Sequence, residues 1–453
     1  METHPTWKDL QQLLTLLDLT VTPEGKVLDH VLSNLLSGDP FGFHTQVPRG
    51  FTAEQCYLVL LHSALLQTSL GAAAHYLYSL GLHVPAGEAV LKRLRTRTLE
   101  ELVQQMDALF YQQWLTLPEV ARAYLASQLV LSLDSVRHPY YGDREKANVV
   151  GGRRKASSSY NYTYGSAKLL WEGHGLTIAV RMLRKGQARA AWVRELLHQA
   201  ERYGRLTVLL GDGDFWVNEL LWEWAQQRRG FVIHVGGGLS KSKITKQLQE
   251  QARKTKKVQT TRYTIHLQHP ARQVSVRLIA WADAEGEPHC IGVPAFLDEL
   301  PPGWFIRLYR SRFGIETGYR LWNELKPRTI SRDPRIRYTL VATAICLYNA
   351  YSLIRTSDQL SDAPQSREWR RLLTLVHGQA AKKRRRKRAP PAQAPPKETC
   401  TTGPLTQKFR RPTFYLTIKQ LKMVWFKVIT MLGLALQKLL RLPCPQERGL
   451  HVA

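Results

Sequence analysis

The chain predicts an α/β protein, and three features of the sequence point to it. Apolar residues recur at helical spacing up to about residue 122, in "QCYLVLLHSALLQ" and "LEELVQQMDALFYQQWL". From Leu125 three strand-like segments are followed by strictly alternating helix and strand. After Gly236 the pattern breaks into a basic stretch and two alternating strands, as though a β-rich segment were inserted. Three early strands and then an alternating run is the order of an RNase H-like layered sheet.

Five segments follow: a helical region over 1–122, the first part of the core over 123–235, the β-rich insertion over 236–300, the second part of the core over 301–360, and a basic linker with a C-terminal helix over 361–453. Within the first, "SLGAAAHYLYSLGLHVPAGEAVLKRLRTRT" reads as helix, Gly/Pro turn and a second helix ending in Lys92, Arg93, Arg95 and Arg97, the outline of a DNA-binding helix-turn-helix or of a plain helical hairpin. The region is expected to form a separate helical unit. In the core, "SQLVLSLD" is a strand ending at Asp134, and "SYNYTYGSAKLLWEG" and "GLTIAVRML" are two more. A helix over "ARAAWVRELLHQAERYG" leads to the apolar strand "RLTVLLGD" ending at Asp212, the helix "FWVNELLWEWAQQRRG" and the strand "FVIHV". Asp214 is expected to cap the second of these helices. "YTLVATAICLYNAYSLI" is expected to be a buried core helix rather than a membrane span, because it is short and contains Asn349.

Charge narrows the partners. The 64 Lys+Arg against 36 Asp+Glu give a formal net charge of +28, which calls for a polyanion. Nucleic acid is the expected partner, with no membrane. "KKRRRKR", including Lys382, Lys383, Arg384, Arg385 and Arg386, precedes "APPAQAPP" and is expected to be a flexible linker that contacts phosphate. The helix over Tyr415–Leu442 is expected to pack on the core or on a second protomer. The N-terminus lacks a basic stretch followed by an apolar run, so a secretory leader is not expected. Five scattered cysteines make no CxxC pair. His266, His269, His289 and Cys290 form only a weak zinc pattern. GxxxxGK[ST] and GxSxG are both absent, which argues against a nucleotide cofactor and a serine hydrolase.

Asp134 and Asp212 end strands where open α/β sheets place their chemistry. Glu316 lies in "YRSRFGIETGYRLWNELKPR"; on a continuous helix Tyr309, Arg312, Glu316, Arg320 and Asn323 share an arc of about 80°. Three convergent carboxylates require cations, and hard oxygen donors favour Mg²⁺, with Mn²⁺ as a substitute. Two such ions about 3.5–4 Å apart suit phosphodiester chemistry.

"SLDSVRHPYYGD", "VLLGDGDFW" and "YRSRFGIETGYRLWNELKPRT" resemble the three DDE regions of IS4-type transposases, in an archaeal-like branch, over roughly Leu125–Arg355. Tyr309, Arg312 and Glu316 match the Y-x2-R-x3-E pattern, whereas the lysine expected next is Asn323, with Lys326 or Arg320 as its replacement. The resemblance implies a metal-dependent enzyme that nicks transposon ends and joins the 3′-OH to target DNA in a synaptic homodimer. It implies Asp134, Asp212 and Glu316 as catalytic and metal-binding residues, Tyr309, Arg312, Arg320 and Lys326 at the DNA, and a prokaryotic cytoplasmic, nucleoid-associated location. The rival expectation is a catalytically silent DNA-binding protein on the same scaffold.

Overall fold

Three of the N-terminal helices start where the sequence supplies a cap. Thr52 with Gln55, and Thr98 with Glu101, form reciprocal capping boxes, and Ser69 accepts a hydrogen bond from the Ala72 amide. The computed structural model describes residues 23–43, 51–146, 148–155, 158–171, 174–267, 272–312, 322–356, 367–377, 420–426 and 429–430. Its first helices are α1 (Pro23–Gly38), α2 (Ala53–Leu65), α3 (Leu70–Ser79), α4 (Gly87–Leu94), α5 (Leu99–Leu115) and α6 (Glu119–Ser127). The expected helix, turn and helix are α3 and α4. Gly87 is pressed on the Leu70–Gly71 backbone, where a Cβ would lie 2.4 Å from the Gly71 nitrogen.

The sheet begins with β1 (Leu129–Pro139), β2 (Val150–Lys155), β3 (Ser158–Trp171) and β4 (His174–Met182), followed by α7 (Arg189–Ala200), β5 (Leu206–Gly211), α8 (Asn218–Gln226) and β6 (Gly230–His234). β3 runs antiparallel to both β1 and β4, while β5 is parallel to β1 and β6 to β5. The spatial order β4-β3-β1-β5-β6 is that of the RNase H-like sheet. β2 was not foreseen in "VGGRRK"; it pairs with the first part of β3.

The insertion holds a helix within the expected basic segment, α9 (Lys243–Thr255), then β7 (Gln259–His266), β8 (Gln273–Ala282) and β9 (Pro288–Pro294). These strands do not make a module of their own. β9 pairs with β6 through Ile233↔Gly292 and His234↔Ile291, so the order runs on as β6-β9-β8-β7. The insertion thereby covers what would be an open edge on β6.

Side-chain alternation gives the sheet two buried faces. Leu131, Leu133 and Leu209 pack with Trp192 of α7 and Trp224 of α8. Val130, Val208 and Leu210 pack under Phe305 and Tyr309 of α10 (Pro302–Ser311) and Leu372 of α12 (Arg367–His377). Between these two helices lies α11 (Pro334–Thr356), the expected buried helix. Its Asn349 is fully satisfied inside the protein: the side-chain oxygen accepts from the Thr177 amide at 2.9 Å, and the amide group donates to the Thr177 carbonyl at 2.8 Å and Gln113 at 3.1 Å. Among the described residues no single helix is long and apolar enough to cross a membrane.

The N-terminal helices are not the separate unit expected. Val31, Leu60, Leu77 and Phe110 share one core with Ile345 and Leu347 of α11, because that helix is apolar around its circumference and has to be buried on several sides. Leu421, Trp425 and Ile429 join the same core, and the Trp425 indole donates to His62 Nδ1 at 3.1 Å. The rest of the expected C-terminal helix and the basic run Lys382–Arg388 lie outside the described residues.

Candidate active site

The parallel ladder of β1 and β5 ends at Leu133↔Gly211, and the next residues in that register are Asp134 and Asp212. Both belong to the alternation of Val130, Val208 and Leu210, so both face α10. Asp134 does not end its strand, as the sequence reading had it. β1 continues to Pro139 because Asp134 to Pro139 still pair with Ser166 to Asn161 of β3. Asp134 therefore marks where β1 loses one neighbour and keeps the other. The register Gly211↔Ile233 carries the row one strand further, to His234.

Local hydrogen bonds fix the two acids. Asp134 is 6% exposed, and its Oδ1 accepts from the Ser135 amide at 2.7 Å. Asp212 caps a short 3₁₀ turn over Gly213–Phe215, its Oδ1 accepting from the Asp214 amide at 3.0 Å. The cap expected at Asp214 thus belongs to Asp212, and α8 begins only at Asn218. The reason is that Phe215 and Trp216 are drawn into the interior before the helix can start. Asp214 turns to β1, 2.6 Å from Arg137 and 3.2 Å from the Ser135 hydroxyl. Gly236 lies against this turn so closely that a Cβ would sit 2.1 Å from the Gly213 oxygen. Burial, and then the charge of Asp214, raise the Asp212 carboxyl above the usual carboxylate range, opposed by Arg312 and Arg137.

Tyr309 and Arg312 close the site from above. Arg312 is the C-terminal cap of α10; its guanidinium lies over the Tyr309 ring at 5.2 Å, with Nη1 3.5 Å from Asp134 Oδ2. It is 5% exposed and faces Asp134 rather than open solvent. The Tyr309 ring also lies 6.3 Å from that of His234 and 6.2 Å from that of Trp281. Glu316 and Arg320 fall outside the described residues, so the helical face expected from Tyr309 to Asn323 is described only at Tyr309, Arg312 and Asn323. Asn323 is exposed, and its carbonyl accepts from Gln67 at 3.0 Å. Lys326 reaches β1, its Nζ 3.3 Å from His138 Nε2.

Among the described residues no three His, Cys, Asp or Glu side chains group closely enough to hold a metal ion, so Asp134 and Asp212 stand as a pair. The weak zinc pattern does not converge either. His289 pairs with Asp283 at 2.9 Å, Cys290 points into the core packed with α7 and α8, and His269 lies outside the described residues. Sequence reasoning missed His234 and the Arg137–Asp214 pair. For His234 a signal existed, since it stands at the end of an apolar strand as Asp212 does; for Arg137 none did, because its partner is set by strand register.

Residues 127–350 match the family model described as a transposase DDE domain. No curated protein matches the chain. Among solved structures, a piggyBac transposase synaptic complex with hairpin DNA is distantly similar, with 11% identity over 77% of each chain and a TM-score of 0.44. The matched segment spans β1, both aspartates, the insertion and most of α11, and through it the chain carries a transposase DDE domain over residues 127–350.

Proposed function

We propose that this protein is a DNA transposase that cuts the ends of its own element and joins the exposed 3′-OH to target DNA, with Asp134, Asp212 and Glu316 as its three carboxylates. The observation that carries this reading is the placement of Asp134 and Asp212 side by side on neighbouring parallel strands, on the face that α10 covers with Tyr309 and Arg312. The chemistry of the donors fits divalent cations: two buried carboxylates offer only hard oxygens, and Asp212 sits where burial and a second acid make a bare negative charge costly. Asp134, Asp212 and Glu316 would hold the ions. When bound, a pair of Mg²⁺ ions, or Mn²⁺ in their place, supplies activation of the attacking oxygen and charge stabilisation at the leaving one.

The chain's own residues do the positioning. The 3₁₀ turn and the Gly213–Gly236 contact fix the rotamer of Asp212, and the Ser135 amide fixes Asp134. Arg312 lies against Asp134 in the protein alone and offsets its charge before DNA arrives. The resemblance carried by Tyr309, Arg312 and Glu316 is to IS4-type transposases, and it implies a synaptic homodimer and action at the nucleoid of a prokaryotic cell. A labelled element-end duplex, incubated with Mg²⁺ or with EDTA, tests the reading. Wild type is expected to nick only with Mg²⁺, while Asp134→Asn, Asp212→Asn and Glu316→Gln bind the duplex and leave it intact. Binding without any nicking by wild type would support the silent DNA-binding protein instead, and cleavage by Asp212→Asn would overturn the triad.

A further inference from the structure

Away from the two aspartates, a cleft of about 800 Å³ opens between the end of α4 and the start of α11. Arg95, Lys146, Arg332 and Arg335 line it, with Arg335 paired to Asp333 at 2.7 Å and Arg95 to Glu88 at 2.9 Å, so that the cations still outnumber the acids. Its loop is braced through the backbone. The Arg328 amide donates to the Thr68 carbonyl at 3.0 Å, and the Ser331 amide to Thr329 Oγ1 at 3.0 Å. Arg337 Nε donates to the Ser331 carbonyl at 2.6 Å, and the Tyr162 hydroxyl to the Arg332 carbonyl at 2.8 Å. Ile330, in the middle of this braced stretch, is 98% exposed. Nearby, Tyr141 is 61% exposed beside Gly142, where a Cβ would come within 2.9 Å of Arg332 Cδ.

A lone exposed aliphatic side chain is ordinary on a protein surface. One held outward by a loop anchored at both ends, in the middle of a cationic cleft, is placed to touch something apolar that is wrapped in negative charge. Duplex DNA has that chemistry: phosphates outside and stacked bases within. We propose that the cleft takes double-stranded DNA, with Ile330 wedged between base steps and Arg332, Lys146 and Arg95 on the flanking phosphates. Such wedges unstack a step and kink the duplex.

The place fits. Lys326, just before the loop, meets His138, which lies about 13 Å along β1 from Asp134. The wedge and the acid pair therefore fall within roughly one 34 Å turn of duplex. A kink there would bring a strand down to the carboxylates. This inference rests on the proposed transposase reading but tests a different surface.

The experiment uses the full chain, duplexes carrying 2-aminopurine at successive positions, and two sequences, the element end and an unrelated duplex. Wild type is expected to raise the fluorescence several-fold at one step or two adjacent ones. A fixed position on the element end alone identifies that end as the occupant, whereas a signal on both duplexes identifies any duplex, target DNA included. Ile330→Ala should abolish the rise while the slope of log affinity against log salt stays unchanged, because isoleucine neutralises no phosphate. Arg332→Ala should lower that slope by about 0.9. Binding with no fluorescence difference between wild type and Ile330→Ala would overturn the wedge and leave the transposase reading standing. An Arg332→Ala slope equal to wild type would remove DNA from the cleft. Loss of self-association by Ile330→Ala, with unstacking intact, would assign the loop to a second copy of the chain and overturn the proposal. No DNA binding by wild type would overturn both readings.

Discussion

Arg312 Nη1 lies 3.5 Å from Asp134 Oδ2 in a setting where both side chains are more than nine-tenths buried. A charge pair this deep is held by each partner's need for the other. Arg312→Ala is expected to destabilise the metal-free protein by about 3 kcal/mol, the usual cost of removing one partner of a buried charge pair. Mg²⁺ should then restore part of the loss, raising the melting temperature more in the variant than in wild type. Equal Mg²⁺ effects on the two proteins would mean that the cation does not share Asp134 with Arg312.

Asp214→Asn separates the two neighbouring acids. The Arg137–Asp214 pair is about one-third exposed on each side, so its loss should cost no more than about 1 kcal/mol. Cleavage should persist with a changed pH profile. Burial and the Asp214 charge raise Asp212, so removing that charge lowers the pH at which Asp212 ionises, and ligation of a cation needs the ionised form. The acidic limb of the Mg²⁺-dependent rate should therefore move to lower pH. A shift in the opposite direction would show that Asp214 acts otherwise than through its charge.

His62 sets an acid limit on stability. Burial pushes it down to about 4 from an unfolded value near 6.5, and it accepts the Trp425 indole hydrogen bond in its neutral form. A depressed histidine contributes stability that is complete above pH 6.5 and lost as pH falls towards 4, on the order of 3 kcal/mol over that window. His62→Gln keeps an acceptor and does not titrate. Its melting temperature should fall less than that of wild type between pH 7 and pH 4.5, as read by circular dichroism; parallel curves would place the loss elsewhere.

Asn323→Lys restores the residue that the resemblance expects. Asn323 is exposed, and among the described residues its contact is through the backbone carbonyl, on Gln67, so the change should leave stability within about 0.5 kcal/mol. If the position faces a phosphate, the salt slope of end binding should steepen by about 0.9. An unchanged slope with unchanged cleavage would leave Lys326 as the residue in that role.

The aspartates were legible because each follows an apolar run long enough to be a buried strand, a local pattern. The extension of β1 past Asp134 was not, since Ser135 to Pro139 are held by distant β3. The Asp214 cap was a sound local inference defeated by the burial of Phe215 and Trp216. α9 has a weak signature because, of its side chains, only Thr245, Leu248 and Ala252 are buried, too few to stand out among lysines and glutamines. The separate N-terminal unit failed for the same long-range reason. Nothing near Leu60 announces Ile345.

That shared core governs the order in which the chain can mature on the ribosome. α1 to α5 emerge first, yet the helix that completes their interior is made after the whole sheet, a delay on the order of ten seconds or more at ordinary synthesis rates. Until then their apolar faces are open to chaperones and proteases. A message broken anywhere before α11 would thus yield helices with no finished interior.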